Sequence, residues 1–222
     1  MVGVYSAVGV YTIGHTPRPD LLDPLQRRFG AVEFRLSGIL DGLAEAHIPS
    51  GSKAEYPLEA RLRSGNRVVV DAAFLAPRLQ RAVSRFDEDV RAHLVLCAGP
   101  FPGLTSQAPV ILPFESGAVE LARRRLASLE IVVPFGAQVA PAANKWQASG
   151  FGCRVHDMGQ KPELLTVAEW LRERLSGTDA DALVFDYVGI PPEILDTTSA
   201  SLNLPVFDLG RLAMDALEHV LR

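Results

Sequence analysis

Cys97 is the residue best placed to carry or remove a proton, because it follows the apolar run Leu94-Val95-Leu96 and precedes Ala98-Gly99. Backbone N–H groups just past a strand end can point at an anion and favour the thiolate. The competing reading is a buried thiol packing as a small apolar residue, and both stay open on the residues alone. A second strand end repeats the pattern. Val184-Phe185-Asp186-Tyr187-Val188-Gly189 again sets an apolar strand before a residue followed two positions later by glycine, so that Cys97 falls opposite Tyr187. A phenol there could protonate a carbanion, or it could only fill space. Its unperturbed pKa near 10 makes it a poorer base than a thiolate at neutral pH.

The first strand-end loop supplies groups for a carboxylate. Thr12, Gly14, Thr16 and Arg18 bring hydroxyls, amides and a guanidinium into one short segment, and arginine offers a carboxylate a bidentate fork. The same residues describe a helix start, with Thr16 as cap and Pro17 in the first turn. The two readings agree, since a helix N-terminus favours an anion. His15 could act as an acid or base, as histidines can, but reads as a loop residue without a catalytic task. Asp186 reads either as a ligand contact or as an acceptor for a loop amide. Gln138 lies within reach of a ligand in the first loop of the second half, followed by Lys145 and Trp146, the latter packing between layers. Cys153 lacks any such context and reads as structural.

The five histidines, 15, 47, 93, 156 and 219, are scattered, and no HxxxH, CxxC, P-loop or glycine-rich dinucleotide pattern occurs. No metal, nucleotide or flavin is therefore expected. A net charge of −4 argues against a surface for phosphate backbones, so nucleic acid is not an expected partner. The arginine clusters at 123–125 and 172–174 have apolar neighbours at helical spacing and read as solvated helix faces. Met1 to Gly14 is apolar without a basic lead and runs straight into Gly-His-Thr-Pro, so it reads as a first strand rather than a signal peptide. No apolar run approaches the roughly 20 residues of a membrane span. A cytoplasmic protein with two free thiols is the expectation.

These groups must be held by a recurring scaffold. Short β-branched runs alternate with helical periodicity, the pattern of parallel strands joined by crossover helices. Strands are predicted at Val8–Ile13, Val32–Leu36, Val68–Val70, His93–Leu96, Val110–Leu112, Ile131–Val133, Cys153–His156, Ala182–Phe185 and Val206–Phe207. Helices are predicted at Leu21–Phe29, Phe74–Phe86, Gly117–Leu129, Pro141–Gln147, Glu163–Leu175 and Leu209–Leu221, with a hairpin-like turn at 61–66 and no clear pattern from Leu40 to Leu58. The first strand also resembles Leu129 to Gly136, which with the Cys97 and Tyr187 strand ends points to an internal duplication. The division expected is an N-terminal lobe over 1–112, a C-terminal lobe over 113–205, and a strand and helix over 206–222 packing back on the N-terminal lobe. In open α/β sheets ligands bind beyond the carboxyl ends of strands.

Several segments, in order, resemble the AroM family: Thr12-Ile13-Gly14-His15-Thr16-Pro17-Arg18-Pro19-Asp20, Leu96-Cys97-Ala98-Gly99-Pro100-Phe101-Pro102, Val132-Val133-Pro134 with Gln138, Lys145-Trp146, and Phe185-Asp186-Tyr187-Val188-Gly189. The family is distantly similar to the aspartate, glutamate and hydantoin racemases and the arylmalonate decarboxylases. Cys97 to Leu104 also resembles the hydantoin racemase segment that carries the first catalytic cysteine. The resemblance implies an α/β fold of two pseudo-duplicated, doubly wound parallel-sheet lobes facing a central cleft for a small carboxylate. It implies catalytic roles for Cys97 and Tyr187, with Thr12, Gly14, Thr16, Arg18, Ala98, Gly99, Gln138, Asp186, Val188 and Gly189 binding substrate. It also allows a homodimer. Tyr187 stands where many relatives carry a second Cys, which counts against symmetric racemisation. The reading is a cofactor-independent isomerase, racemase or decarboxylase; the alternative is an anion-binding protein that kept the cleft without the chemistry.

Overall fold

The computed structural model describes residues 7–222; the part of the leading apolar stretch before Ala7 lies outside the described residues. The chain divides into two compact units, one holding residues up to Pro113 together with Ala213–Arg222, the other Phe114–Leu212.

In the first unit β1 (Val8–Thr12) is buried along its whole length, as a central parallel strand covered on both faces must be. It pairs in parallel with β2 (Phe34–Gly38), reached through α1 (Pro19–Phe29). An antiparallel hairpin follows, β3 (Pro57–Arg61) and β4 (Arg67–Asp71), turning at 62–66 where Gly65 takes a φ of 90°. Asp71 then caps α2 (Ala72–Phe86) by accepting from the Ala73 N–H. Leu75, Leu79 and Val83 repeat every four residues, form one stripe and are buried in the core with Tyr11, Leu40 and Val95. Each such side chain contributes about 1.5–3 kcal/mol through burial. The chain enters β5 (Ala92–Val95) and β6 (Val110–Ile111), completing a parallel sheet of order β2-β1-β5-β6.

The second unit repeats that order. After α3 (Pro113–Arg123), β7 (Ser128–Val133) takes the place of β1, and β8 (Gly152–Asp157), β9 (Ala182–Phe185) and β10 (Val206–Asp208) complete a parallel sheet of order β8-β7-β9-β10. α4 (Val139–Ala148), α5 (Val167–Arg174) and α6 (Pro192–Ser201) make the connections, and α7 (Leu209–Leu221) ends the chain. Register makes the repeat specific. Val8 lies opposite Ala92 and Leu129 opposite Ala182, so Cys97 and Tyr187 each stand two residues past the last residue of equivalent central strands. The β3–β4 hairpin has no counterpart among the described residues of the second unit.

Three expectations change. The helix read as Gly117–Leu129 stops at Arg123, because Arg125 takes a φ of 60° and the Arg125 and Leu126 N–H groups bond back to Ala122 and Leu121, a Schellman ending that frees Ser128 to start β7. Strand 206–208, grouped above with the terminal helix, pairs with β9 and so lies in the second unit's sheet. α6 went unread because Asp196, Thr197, Thr198, Ser199 and Ser201 are weak helix formers. None of the described helices is long and apolar enough to cross a membrane.

Candidate functional site

At the end of β1 the loop is clamped from two sides. Asp41, in the turn after β2, accepts from the Thr16 amide at 2.9 Å, from the Thr16 hydroxyl at 2.7 Å and from the Gly38 amide at 3.1 Å. The hairpin supplies the other side. The Arg61 carbonyl accepts from the His15 N–H at 3.0 Å, the Arg63 N–H donates to His15 Nδ1 at 3.2 Å, and Arg63 Nε donates to the Thr16 carbonyl at 3.0 Å. Gly14 is glycine because a Cβ would collide with the Arg61 carbonyl, and Gly38 because a Cβ would lie 2.7 Å from Asp41 Oδ2 and from the Gly14 carbonyl. The sequence reading missed Asp41, Arg61 and Arg63. Their contacts span 25 to 48 residues, and no local period signals such a clamp.

Thr12, the last residue of β1, is buried, and Arg18 Nη1 lies 3.4 Å from its hydroxyl. The rest of the Arg18 fork is turned to Asp20, with Nε at 2.9 Å and Nη2 at 2.7 Å. Leu96 donates its N–H to the Tyr11 carbonyl at 2.8 Å, which carries the pairing of the two strands on to Thr12 and Leu96, and Cys97 follows one residue later.

Cys97 itself is 7% exposed and belongs to a cluster with Leu40, Leu58, Leu75 and Phe101. The Gly99 N–H points at its sulfur, N to Sγ 3.3 Å, the contact expected to favour a thiolate. Gly99 must lack a side chain, since a Cβ there would lie 2.8 Å from both methyls of Leu58 on β3. Ala98 is buried beside it. The loop that follows lines one side of a cavity of about 200 Å³ with Ala76, Pro77, Gln80, Phe101, Pro102, Gly103 and Leu104. Cys97 is not among those residues. Cys153 is half-buried, its Sγ 3.8 Å from the Ala143 carbonyl, and burial pushes its thiol pKa up.

In the second unit Asp186 is buried, its carboxylate accepting from Lys145 Nζ at 2.8 Å and Trp146 Nε1 at 2.9 Å. Burial pushes this carboxyl above the usual range, while the Lys145 ammonium and the two hydrogen bonds pull against it. Lys145 also lies 4.4 Å over the Phe114 ring, and Trp146 stacks edge-on against Phe114 and Phe151. Asp186 therefore ties α4 to the end of β9. The Tyr187 hydroxyl donates to Met158 Sδ at 3.3 Å and its ring meets Phe185 edge-on. Val188 packs its side chain toward Gly210, Gly189 takes a φ of 93°, and Gln138 is the buried residue of a 3-10 turn over Gly136–Gln138 whose other two residues are exposed.

Asp208, at the end of β10, is a titratable group that sequence reasoning missed. Its Oδ1 accepts from the Arg211 N–H at 2.6 Å, its Oδ2 is buried without a hydrogen-bond partner, and burial pushes its pKa up to about 6. Raised above the unfolded value, this carboxyl contributes most stability below about pH 4 and loses it as pH rises through 6. Asp208→Asn keeps the acceptor and removes the charge. It should stabilise the protein by up to about 3 kcal/mol at pH 8 and by little at pH 4, measured by denaturant unfolding at both pH values.

With the geometry in hand, comparison with known proteins is specific. A family profile described as AroM protein matches residues 8–221. No curated protein sequence matches. Among solved structures, the maleate isomerase of Pseudomonas putida S16 aligns over 97% of this chain and 92% of its own at 12% identity, TM-score 0.62. An arylmalonate decarboxylase aligns over 96% and 92% at 12% identity, TM-score 0.61. A glutamate racemase of Bacillus anthracis aligns over 98% and 82% at 13% identity, TM-score 0.62. At these identities the likeness shows the fold, which is that of the Asp/Glu racemases.

Proposed function

From the premise that the chain belongs to the AroM family, we propose that it is a carbon-acid enzyme acting on a small carboxylate, of the isomerase, racemase or decarboxylase kind, and independent of cofactors. The observation that carries this reading is the Cys97 sulfur at the end of central strand β5, with the Gly99 N–H aimed at it and Thr12 emerging from the neighbouring strand. The names of the similar structures support the substrate class, since glutamate, maleate and arylmalonate are all carboxylates.

Arg18 and Thr12 hold the carboxylate, Thr16 fixes the loop through Asp41, and the Ala98 amide faces the charge that develops beside it. In a decarboxylation the C–C bond to the leaving carboxylate breaks, its electron pair stays as an enolate, and the Cys97 thiol protonates that carbon. The thiolate then takes a proton back from water. One thiol serves this chemistry because protonation is needed on one face only. A racemisation needs a second acid, for which Tyr187 occupies the equivalent strand end of the second unit. Gln138, Val188 and Gly189 belong to the loops at that unit's strand ends. Asp186 acts through α4, as a positioning residue.

Two observations favour a second reading, a binding protein without turnover: the close burial of Cys97 and the phenol at position 187. Alkylation by iodoacetamide at pH 7, followed by peptide mass mapping, separates the two. The enzymatic reading expects Cys97 to be modified faster than Cys153, whose thiol is pushed up by burial. A Cys97 that stays unmodified while Cys153 reacts supports the binding protein.

A further inference from the structure

The first strand-end loop is surrounded by more cation than its own acids neutralise. Three guanidiniums approach it. Arg18 is paired with Asp20, Arg61 Nη1 lies 3.8 Å from the same carboxylate, and Arg63 Nη2 lies 3.6 Å from Asp41. The two carboxylates facing them are held very differently. Asp41 accepts two backbone amides and the Thr16 hydroxyl, so it is part of the loop's framework. Asp20 is held by the Arg18 fork, with Arg61 farther off and its own amide behind it. Its side chain, in the first turn of α1, is 42% exposed, whereas that of Arg18 is only 16% exposed and reaches inward to Thr12. A largely enclosed guanidinium thus has its bidentate face filled by an exposed carboxylate in the geometry a ligand carboxylate would use.

We infer that Asp20 is a displaceable stand-in for the ligand's carboxylate: it occupies the Arg18 fork and swings to solvent when a small carboxylate takes its place. This rests on the reading of Arg18 as a carboxylate-binding residue. Exchange of one carboxylate for another leaves the guanidinium paired throughout, so the enclosed charge of Arg18 is never exposed alone. Because exposed ion pairs are weak, the competition lowers apparent affinity by a modest factor, the fraction of time the fork is open. Asp20 would also discriminate, since a neutral or weakly acidic ligand could not displace it.

Isothermal titration of the full chain with maleate, a small dicarboxylate, tests this. Asp20→Asn is expected to bind maleate about three- to tenfold more tightly than the wild type. Asp23→Asn, an exposed acid on the same helix that pairs with no cation among the described residues, controls for bulk charge and should change affinity by less than about twofold. In an Arg18→Gln background the gain from Asp20→Asn should vanish. Thermal melting of each variant checks that the fold is intact. If Arg18→Gln weakens maleate but Asp20→Asn binds no more tightly than wild type, Asp20 only orients Arg18 and the inference is overturned while the carboxylate site stands. If Arg18→Gln binds as well as wild type, or neither wild type nor Asp20→Asn binds maleate saturably, the site reading falls with it.

Discussion

Cys97→Ala is expected to lower turnover of an accepted carboxylate by about 10²–10⁴-fold, the usual contribution of a positioned acid or base, while leaving ligand binding nearly intact. The separation follows from the placement of the groups. The sulfur receives the Gly99 N–H, whereas Thr12 ends β1 and Thr16 and Arg18 lie in the loop after it. Removing the sulfur takes away the proton carrier and leaves the carboxylate contacts in place. The fold should tolerate the change, since deleting one buried sulfur beside Leu58 and Phe101 costs about 1–2 kcal/mol by analogy with small core truncations. Steady-state rates and ligand-induced thermal shifts, measured on wild type and variant, give the two readouts. Turnover within about twofold of wild type would remove Cys97 from the chemistry.

Asp186→Ala should be the most destabilising single change in the site region, at about 3–5 kcal/mol. It removes the anion that Lys145 Nζ and Trp146 Nε1 both contact in a region from which water is excluded. Leaving a buried ammonium without that counter-charge costs more than the pair contributes when intact. For a chain of this length the loss corresponds to a melting point lower by about 6–20 °C. Because α4 is held to the end of β9 by this carboxylate, loosening at Trp146 should appear as a red shift and increased quenching of tryptophan fluorescence. A loss below about 1 kcal/mol would mean that Lys145 finds another counter-charge and that Asp186 is free to act otherwise.

Much of the frame around these residues was legible before any coordinates. Alternation of β-branched runs with helical periodicity located the strands because parallel strands buried on both faces are predominantly apolar, as β9 is throughout and as β1 and β5 are apart from Thr12 and His93. The equivalence of Cys97 and Tyr187, read from two glycines, reappears in the register of two sheets with the same strand order. What escaped depends on distance in sequence. The clamp on the first loop joins residues 14–16 to 41 and to 61–63 through polar contacts that carry no hydrophobic period. Asp186 read equally well as a ligand contact or an acceptor for a loop amide, because its partners lie 40 and 41 residues earlier. The early stop of α3 turns on one residue in the left-handed region, Arg125, where arginine gives no warning that glycine would. The raised pKa of Asp208 reflects burial, which outweighs the Arg211 charge and the amide hydrogen bonds and which composition cannot show.

Solvent deuterium incorporation tests the central claim most directly. Wild type and Cys97→Ala are incubated in D₂O with phenylmalonate, maleate, aspartate and glutamate, and the products are followed by proton NMR. The account predicts that the wild type places deuterium on carbon in at least one of them, with or without loss of carbon dioxide, and that the variant does so at least about a hundredfold more slowly. Equal incorporation by the two proteins, or none by the wild type while it binds these acids saturably, would contradict it.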